Sequence, residues 1–491
     1  MKEFDAVVIG AGLLGCFTAR ALTRYRMTVA VLEAREDVCT GISKANTAIV
    51  YDGHDTKPGT MKTQMCVRAN GSFDSLCAEL GVRFSRCGAI MVCFGPRGMA
   101  VLEKKYEQGL ANGVEGLRLL NREQVLALEP SLSSQVYGGL LSPNTGTVNP
   151  WELFVAAYEN ARANGARFFF HRRVEDIRRQ GDGYLLTAGG ETFFARGIVN
   201  CAGLEADRVR ETVCPPAVRI FPDSASYLVT DETNGFLHRV IFHEPEEKGK
   251  GLTLVPTIDG NLLIGPTEEP LAQEPFASSG QGLDCLRELC RQVMPSLPLD
   301  TVIRSFGAVR PNPFYVNQIE EGSWTREARS ISSFTILEEE AAPGMISLLG
   351  IKTPGLTCAW ELGCCAADKL SRFLGLEEKN PAFDPVRPAP LRLSAMCQEE
   401  RRAFVAGHPA YGRIVCRCRG ISEGEILDAI RRGAVTVDGV KRRVGSSMGR
   451  CQGSFCTEYI LELLSRELGV PPDRLCKDGE GTVLGGGHGT R

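Results

Sequence analysis

Four cysteines near the C-terminus have the spacing of a metal centre. IVCRCRGISEGEILDAI sets Cys416 and Cys418 one residue apart, just ahead of a capped helix. RRVGSSMGRCQGSFCTEYI sets Cys451 and Cys456 at the start of another helix, with Gly449 and Gly453 around them. Thiolates bind zinc and iron–sulfur clusters, and nearby helix N-termini help to keep them deprotonated. Zinc usually takes cysteine pairs separated by about two to four residues, so the Cys-x-Cys end suits it less well than a cluster. A third reading, unligated thiols, leaves a small module without the staple it needs to fold.

A second group of chemical interest lies at the N-terminus, in FDAVVIGAGLLGCFTARALTRYRMTVAVLEA. An unbroken apolar run, as in a strand buried on both faces, leads into Gly10-x-Gly12-x-x-Gly15. Apolar residues then recur at Leu14, Phe17, Ala21, Leu22 and Tyr25, which is helical spacing. Gly10 permits a tight turn, Gly12 lets the backbone approach a pyrophosphate, and Gly15 allows close helix–strand packing. The helix N-terminus meets the phosphates with free N–H groups, and Glu33 ends the second strand, placed to accept hydrogen bonds from ribose hydroxyls. A glutamate there repels the extra phosphate of NADP. The pattern predicts a dinucleotide site.

These groups must be positioned by several units. At 491 residues the chain is too long for one core, and two or three domains are expected. Helical patterns such as Trp151 to Asn164 mix with β-rich ones, ARFFFHRRV and GLTLVPTIDGNLLIGPT, the latter with a hairpin turn at Asp259-Gly260-Asn261. Strand, glycine-rich turn and helix return in MISLLGIKTPGLTCAWELGCCAADKL. NPAFDPVRPAPLRL then has the composition of a linker, and a cysteine-bearing segment of module size follows.

A net charge of −3 gives no reason to expect nucleic acid or an anionic membrane as partner. No apolar stretch approaches the ~18 residues of a membrane span. The N-terminus runs directly into a strand, so a secretory signal is not expected. Nineteen cysteines, an odd number scattered through apolar segments such as those of Cys77, Cys201 and Cys358, fit buried thiols in a reducing compartment. A cytoplasmic protein is the expectation.

Over residues 1 to 375 the chain resembles the D-amino-acid oxidase-like family of flavoproteins. Beyond the glycine turn, three segments carry the likeness: TGISKANTAIV (40–50), VNCAG (199–203) and GIKTPGLT (350–357). The resemblance implies FAD, held by Gly10, Gly12, Gly15, Glu33, Thr40, Ser43, Lys44, Ala45, Val174, Gly203, Gly350, Lys352, Thr353, Gly355, Leu356 and Thr357. A helix N-terminus and a lysine beside the flavin would stabilise its anionic reduced form. The cysteine segment, through SSMGRCQGSFC, resembles the bacterioferritin-associated-ferredoxin-like module, which implies a 2Fe–2S cluster on Cys416, Cys418, Cys451 and Cys456.

The implied fold is α/β and α+β. A Rossmann-like FAD-binding domain (1–85, 145–220 and 340–376) is joined to an antiparallel-sheet substrate domain (86–144 and 221–339). A linker (377–410) and a small helical iron–sulfur module with its tail (411–491) complete it.

Together the two halves resemble the large subunits of bacterial anaerobic glycerol-3-phosphate dehydrogenases. KPGTMKTQMCVRAN (57–70) is also similar to the L-2-hydroxyglutarate oxidases. Both groups oxidise a secondary alcohol with an anionic arm, by hydride transfer to flavin. The resemblance implies that Arg310, in GAVRPNP, holds the anion, and a guanidinium fork suits phosphate and carboxylate alike. Lys352 could serve substrate, flavin or both. Where relatives often read His-Ala-Gly, this chain has Tyr51-Asp52-Gly53 followed by His54, so His54 or Tyr51 is expected to take the proton. An amino-acid or opine-type dehydrogenase subunit, and a non-catalytic electron relay, are the alternatives. A cluster beside a flavin implies delivery of single electrons to a second redox subunit or acceptor protein.

Overall fold

A computed structural model of the chain describes residues 1–233, 235–243, 251–270, 276–316, 330–479 and 481–484. Strands Lys2–Ile9 and Val29–Leu32 flank helix Leu13–Leu22, the βαβ unit read from the glycine turn. Val29 to Leu32 are all buried, as the unbroken apolar run requires. The parallel layer runs Arg167–Phe169, Val29–Leu32, Lys2–Ile9, Glu191–Asn200, Ala342–Leu349. The first half of Glu191–Asn200 also starts an antiparallel meander with Gly183–Ala188 and Val174–Gln180. Helices Leu13–Leu22, Pro150–Ala163 and Ala359–Leu374 share one core on this sheet through Phe17, Phe154 and Leu370.

A nine-stranded sheet forms the second layer. Its spine is the long antiparallel pair Val218–Glu232 and Val302–Tyr315, in register with Asp223 opposite Arg310. The hairpin expected at Asp259-Gly260-Asn261 joins strands Thr253–Pro256 and Asn261–Ile264. Expected to be antiparallel, the sheet contains one parallel pair, Val240–His243 beside Ala89–Cys93, because these strands come from distant parts of the chain.

The proline-rich stretch is not a free spacer. Arg387 is buried, with Nη2 2.6 Å from Glu159 Oε2 and Nη1 donating to the Leu80 carbonyl at 3.2 Å. The buried Arg20 donates to the Pro385 carbonyl at 3.2 Å. Composition suggested a linker, but two buried guanidinium groups fasten it along the first domain as a strap. It leads into helix Gln398–Gly407, within the span expected as linker.

The C-terminal module has its own core, built on helices Glu423–Arg431, Val437–Val444 and Thr457–Leu468 around Ile426, Val440, Ile460 and Leu464. It is seated on the first domain by buried charge. Asp37, four residues after Glu33, is 1% exposed and receives both terminal nitrogens of Arg443 at 2.7 and 2.8 Å. Arg442 adds a third contact at 3.3 Å and also reaches Asp478 at 2.7 Å. Burial pushes the Asp37 carboxyl up, but Arg443 and Arg442 overcome this and hold it below the usual carboxylate range.

Removing one member of such a pair leaves an uncompensated buried charge. Arg443→Met is therefore expected to cost about 3–5 kcal/mol in the urea unfolding transition that reports the seated module. An unchanged midpoint would show that the pair holds nothing together.

Candidate functional site

A cavity of about 630 Å³ lies between the parallel sheet and the second sheet, within the ~300–1,000 Å³ of small-molecule sites. One end is the glycine turn. Gly10 has φ +94°, and a Cβ there would lie 2.7 Å from the Cys201 carbonyl oxygen. A Cβ on Gly15 would lie 1.8 Å from the Gly10 oxygen, so packing forbids any other residue at either place. Glu33 is buried and accepts from Ala11 N at 2.6 Å and from Arg35 N at 2.9 Å. Burial raises its pKa, and these two N–H groups oppose the rise. The turn, the acid and the following helix form a cradle that fits a dinucleotide.

Most of the residues expected to bind cofactor line this cavity: Gly10, Gly12, Glu33, Thr40, Ser43, Ala45, Val174, Gly203, Gly350, Lys352, Thr353, Gly355 and Leu356. Three stand outside it. Gly15 serves packing. Lys44 pairs with Asp478 of the C-terminal module at 2.9 Å. Thr357 lies behind the wall, its Oγ1 accepting from Tyr51 N at 3.0 Å and so tying the segment 350–357 to the end of the segment 40–50.

The other end of the cavity carries the expected anion site. Arg310 lies on the wall, and Glu268 approaches it only to 3.7 Å. Lys352 shares the wall and donates to Asn312 Oδ1 at 3.1 Å and Ser330 Oγ at 2.7 Å. Asn312 in turn donates to Asp223 at 2.6 Å, which fixes the lysine's direction. Tyr51 joins them, stacked on Phe242 with 6.1 Å between ring centres. Burial pushes its phenol up, against a hydrogen bond from Thr47 and the charge of Arg310.

His54, offered by the sequence as proton acceptor, is not on the wall. It is 4% exposed, its Nδ1 2.6 Å from Asp52 Oδ1, while Asp52 also accepts from Ser142 Oγ. Helix Pro96–Ala111 covers it, with Gly109 against its Cβ, so the imidazole is a structural partner of Asp52.

Sequence reading passed over Tyr227 and His243, both on the cavity wall. Tyr227 is 5% exposed and stacks flat on Phe306 at 4.8 Å. His243 is the sole histidine on the wall among the described residues. Both sit in strands of the second sheet without a motif around them. Apolar alternation in 218–232 was the available signal for Tyr227, and nothing local marked His243.

In the C-terminal module the four cysteines meet as two pairs. Cys416 and Cys456 hydrogen bond each other, as do Cys418 and Cys451. The bond from Cys416, helped by the Ser447 hydroxyl, brings the Cys456 thiol down to about 6. Cys416 is raised in turn by the same interaction and by burial. Burial pushes Cys451 up, and the N–H of Gly453, the Cys418 thiol and the N–H of Phe455 bring it below the usual thiol range. Two thiol pairs fit two irons with two thiolates each better than one tetrahedral zinc.

Comparison with known proteins agrees with both halves. Residues 5–369 match the family described as FAD dependent oxidoreductase, and residues 414–466 match the BFD-like [2Fe-2S] binding domain. A glycerol 3-phosphate dehydrogenase of Caloramator mitchellensis is 38% identical over 486 residues, 98% of each chain. The mitochondrial L-2-hydroxyglutarate dehydrogenase of Bos taurus is 29% identical over 286 residues, 54% of this chain and 61% of that one. The fold is that of the dithionite-reduced L-alpha-glycerophosphate oxidase of Mycoplasma pneumoniae with FAD bound. That structure has a TM-score of 0.71 at 23% identity, covering 80% of this chain and all of that one.

Glu33→Ala removes charge-assisted hydrogen bonds worth about 1.5–3 kcal/mol, so FAD affinity is expected to fall by about one to two orders of magnitude. Fluorescence titration of the apoprotein with FAD checks this. Unchanged affinity would remove Glu33 from the cofactor site.

Proposed function

The chain belongs to the FAD-dependent oxidoreductase family, and on that premise we propose that it is a dehydrogenase for glycerol 3-phosphate or a closely similar anionic secondary alcohol. One observation carries the reading: Arg310 and Lys352 share the cavity wall with Tyr51 and Tyr227, and the charge of Arg310 reaches both phenols. Two cations suit an anionic arm, and two phenols suit a hydroxyl. The guanidinium fork accepts phosphate or carboxylate, and the relative matched over 98% of both chains bears the name of a glycerol 3-phosphate enzyme.

Bound FAD supplies the hydride acceptor. The chain's own residues do the rest. Arg310 takes the anion bidentately. Lys352, aimed by Asn312 and Ser330, adds charge where the substrate and the ring meet. Tyr51 stands where relatives often carry a histidine. Its phenol, pushed up by burial, keeps its proton at neutral pH and donates to the substrate oxygen. The hydroxyl proton goes to His243, whose residue type accepts a proton near neutrality, where a lysine ammonium and a raised phenol do not. Cys416, Cys418, Cys451 and Cys456 would hold a 2Fe–2S cluster, which would supply one-electron transfer toward an acceptor protein. Among the described residues no helix is long and apolar enough to cross a membrane. All nineteen cysteines are free of disulfides, which supports a reducing, cytoplasmic setting.

Anaerobic bleaching of the flavin by glycerol 3-phosphate, by a 2-hydroxy acid and by an amino acid tests the substrate class. Bleaching by the amino acid alone would replace this reading with an amine dehydrogenase. Arg310→Met is expected to lower kcat/KM for the anionic alcohol by about two orders of magnitude or more while FAD content stays normal. His243 must be neutral to accept a proton, so flavin reduction is expected to be slower in acid and to rise toward neutral pH. His243→Gln should flatten that rise and slow reduction by about a hundredfold. An unchanged pH profile in His243→Gln would assign the proton elsewhere.

A further inference from the structure

The cysteine pairs are flanked by two different surfaces. Residues beside Cys418 and Cys451 are bound to the second sheet. Arg419 reaches Glu232 at 2.5 Å and Asp259 at 3.0 Å, Arg450 reaches Asp231 at 2.9 Å, and Gln452 accepts from Arg304 at 3.2 Å. Cys416 and Cys456 are themselves buried, but among the described residues those beside them have no hydrogen bond or ion pair to the second sheet. Phe455 is 80% exposed, more than any other large hydrophobic side chain described, and Ile414 is 46% exposed. Arg417, between Cys416 and Cys418, is exposed and has no ion pair or hydrogen bond with a described residue. Of the three arginines within two residues of the four cysteines, Arg419 and Arg450 are paired with acids of the second sheet, which leaves Arg417 as the cation of this surface and Glu458 as the one acid in that range.

A single exposed phenylalanine is ordinary on a protein surface. Its place is not, next to a cluster ligand and beside an unpaired guanidinium. Electron-transfer complexes are small, have an apolar contact at the redox centre and are steered by complementary charge. We propose that the surface of Phe455, Ile414 and Arg417 is the docking site of an acidic one-electron carrier protein, an inference that rests on the relay proposed above. The reduced cluster gives up one electron and returns to its oxidised state, and the carrier's flavin or iron–sulfur centre gains that electron. Two such transfers empty the flavin of one substrate's pair. The side bound to Asp231, Glu232, Asp259 and Arg304 receives electrons, and the Phe455 side delivers them.

The test uses the holoenzyme, with an acidic flavodoxin and an acidic 2Fe–2S ferredoxin as probes. Calorimetric titration is expected to show binding of at least one probe that weakens as salt is raised from roughly 50 to roughly 300 mM. Phe455→Ser and Arg417→Glu should each weaken it by about tenfold or more. Steady-state reduction of the bound probe should fall in parallel, while dichlorophenolindophenol, a small dye that can take electrons at the flavin, is reduced at the wild-type rate. Cluster absorbance confirms that both variants are loaded. Failure of dye reduction in the wild type would strike the dehydrogenase reading, whereas the following results strike this inference alone. Neither probe binds, or both variants bind as wild type, or binding ignores salt. Self-association of the wild type that Phe455→Ser abolishes would give the patch to a second copy of the chain and equally overturn it.

Discussion

A carboxylate that is 1% exposed cannot stay charged without partners, and Asp37 takes both of its main partners, Arg442 and Arg443, from a module more than 400 residues further along the chain. That constraint joins the dinucleotide end of the first domain to the cysteine module. Asp478, held down to about 2 by Arg442 and Lys44 against the upward push of burial, extends the same network to the segment 40–50. The loop that carries Glu33, Asp37, Thr40 and Lys44 therefore faces the cavity on one side and the C-terminal module on the other. A chain in which cofactor site and cluster module were independent would have no use for buried charge at their contact.

The cavity follows from the way two sheets meet. The parallel sheet supplies turns: the glycine loop, the Cys201–Gly203 turn and the Gly350–Thr357 loop. The second sheet supplies side chains from strand faces: Tyr227 and Arg310, held in fixed relation by the antiparallel register of their strands, and His243 from the strand paired in parallel with Ala89–Cys93. Turns approach a ligand with backbone, and strand faces approach it with functional groups. Under the proposed reading the turns would face the cofactor, and the second sheet's side chains, with Lys352 and Tyr51 from the first layer's loops, would face the substrate.

The same division explains what the sequence made legible. The glycine turn and the two cysteine motifs are local: backbone conformation at Gly10, contact at Gly15, and the spacing of Cys416 with Cys418 and of Cys451 with Cys456 are dictated by residues close in sequence. Thirteen expected cofactor residues accordingly line the cavity. His54 was misread because only tertiary packing turns its ring from the cavity to Asp52 and under the helix bearing Gly109. His243 stayed invisible because a strand of four residues, Val240–His243, carries no motif, and only its pairing with Ala89–Cys93 brings it to the wall. The proline-rich strap was misjudged because composition speaks to backbone stiffness and says nothing of two arginines, Arg20 and Arg387, that bury themselves along it. Asp37, an ordinary acid in the sequence, acquired its importance wholly from Arg443.

Two electrons enter a flavin together as a hydride, whereas a 2Fe–2S cluster accepts one, so the proposed arrangement is a converter within a single chain. Seating by Asp37 and by Asp231, Glu232 and Asp259 makes intramolecular transfer the natural route. Rapid mixing of the oxidised holoenzyme with glycerol 3-phosphate under anaerobic conditions, followed by freeze-quench EPR, tests this most directly. Flavin absorbance should fall first, and the reduced-cluster signal should then grow at a rate independent of protein concentration. A flavin that bleaches while the cluster stays oxidised until dithionite is added would contradict the account.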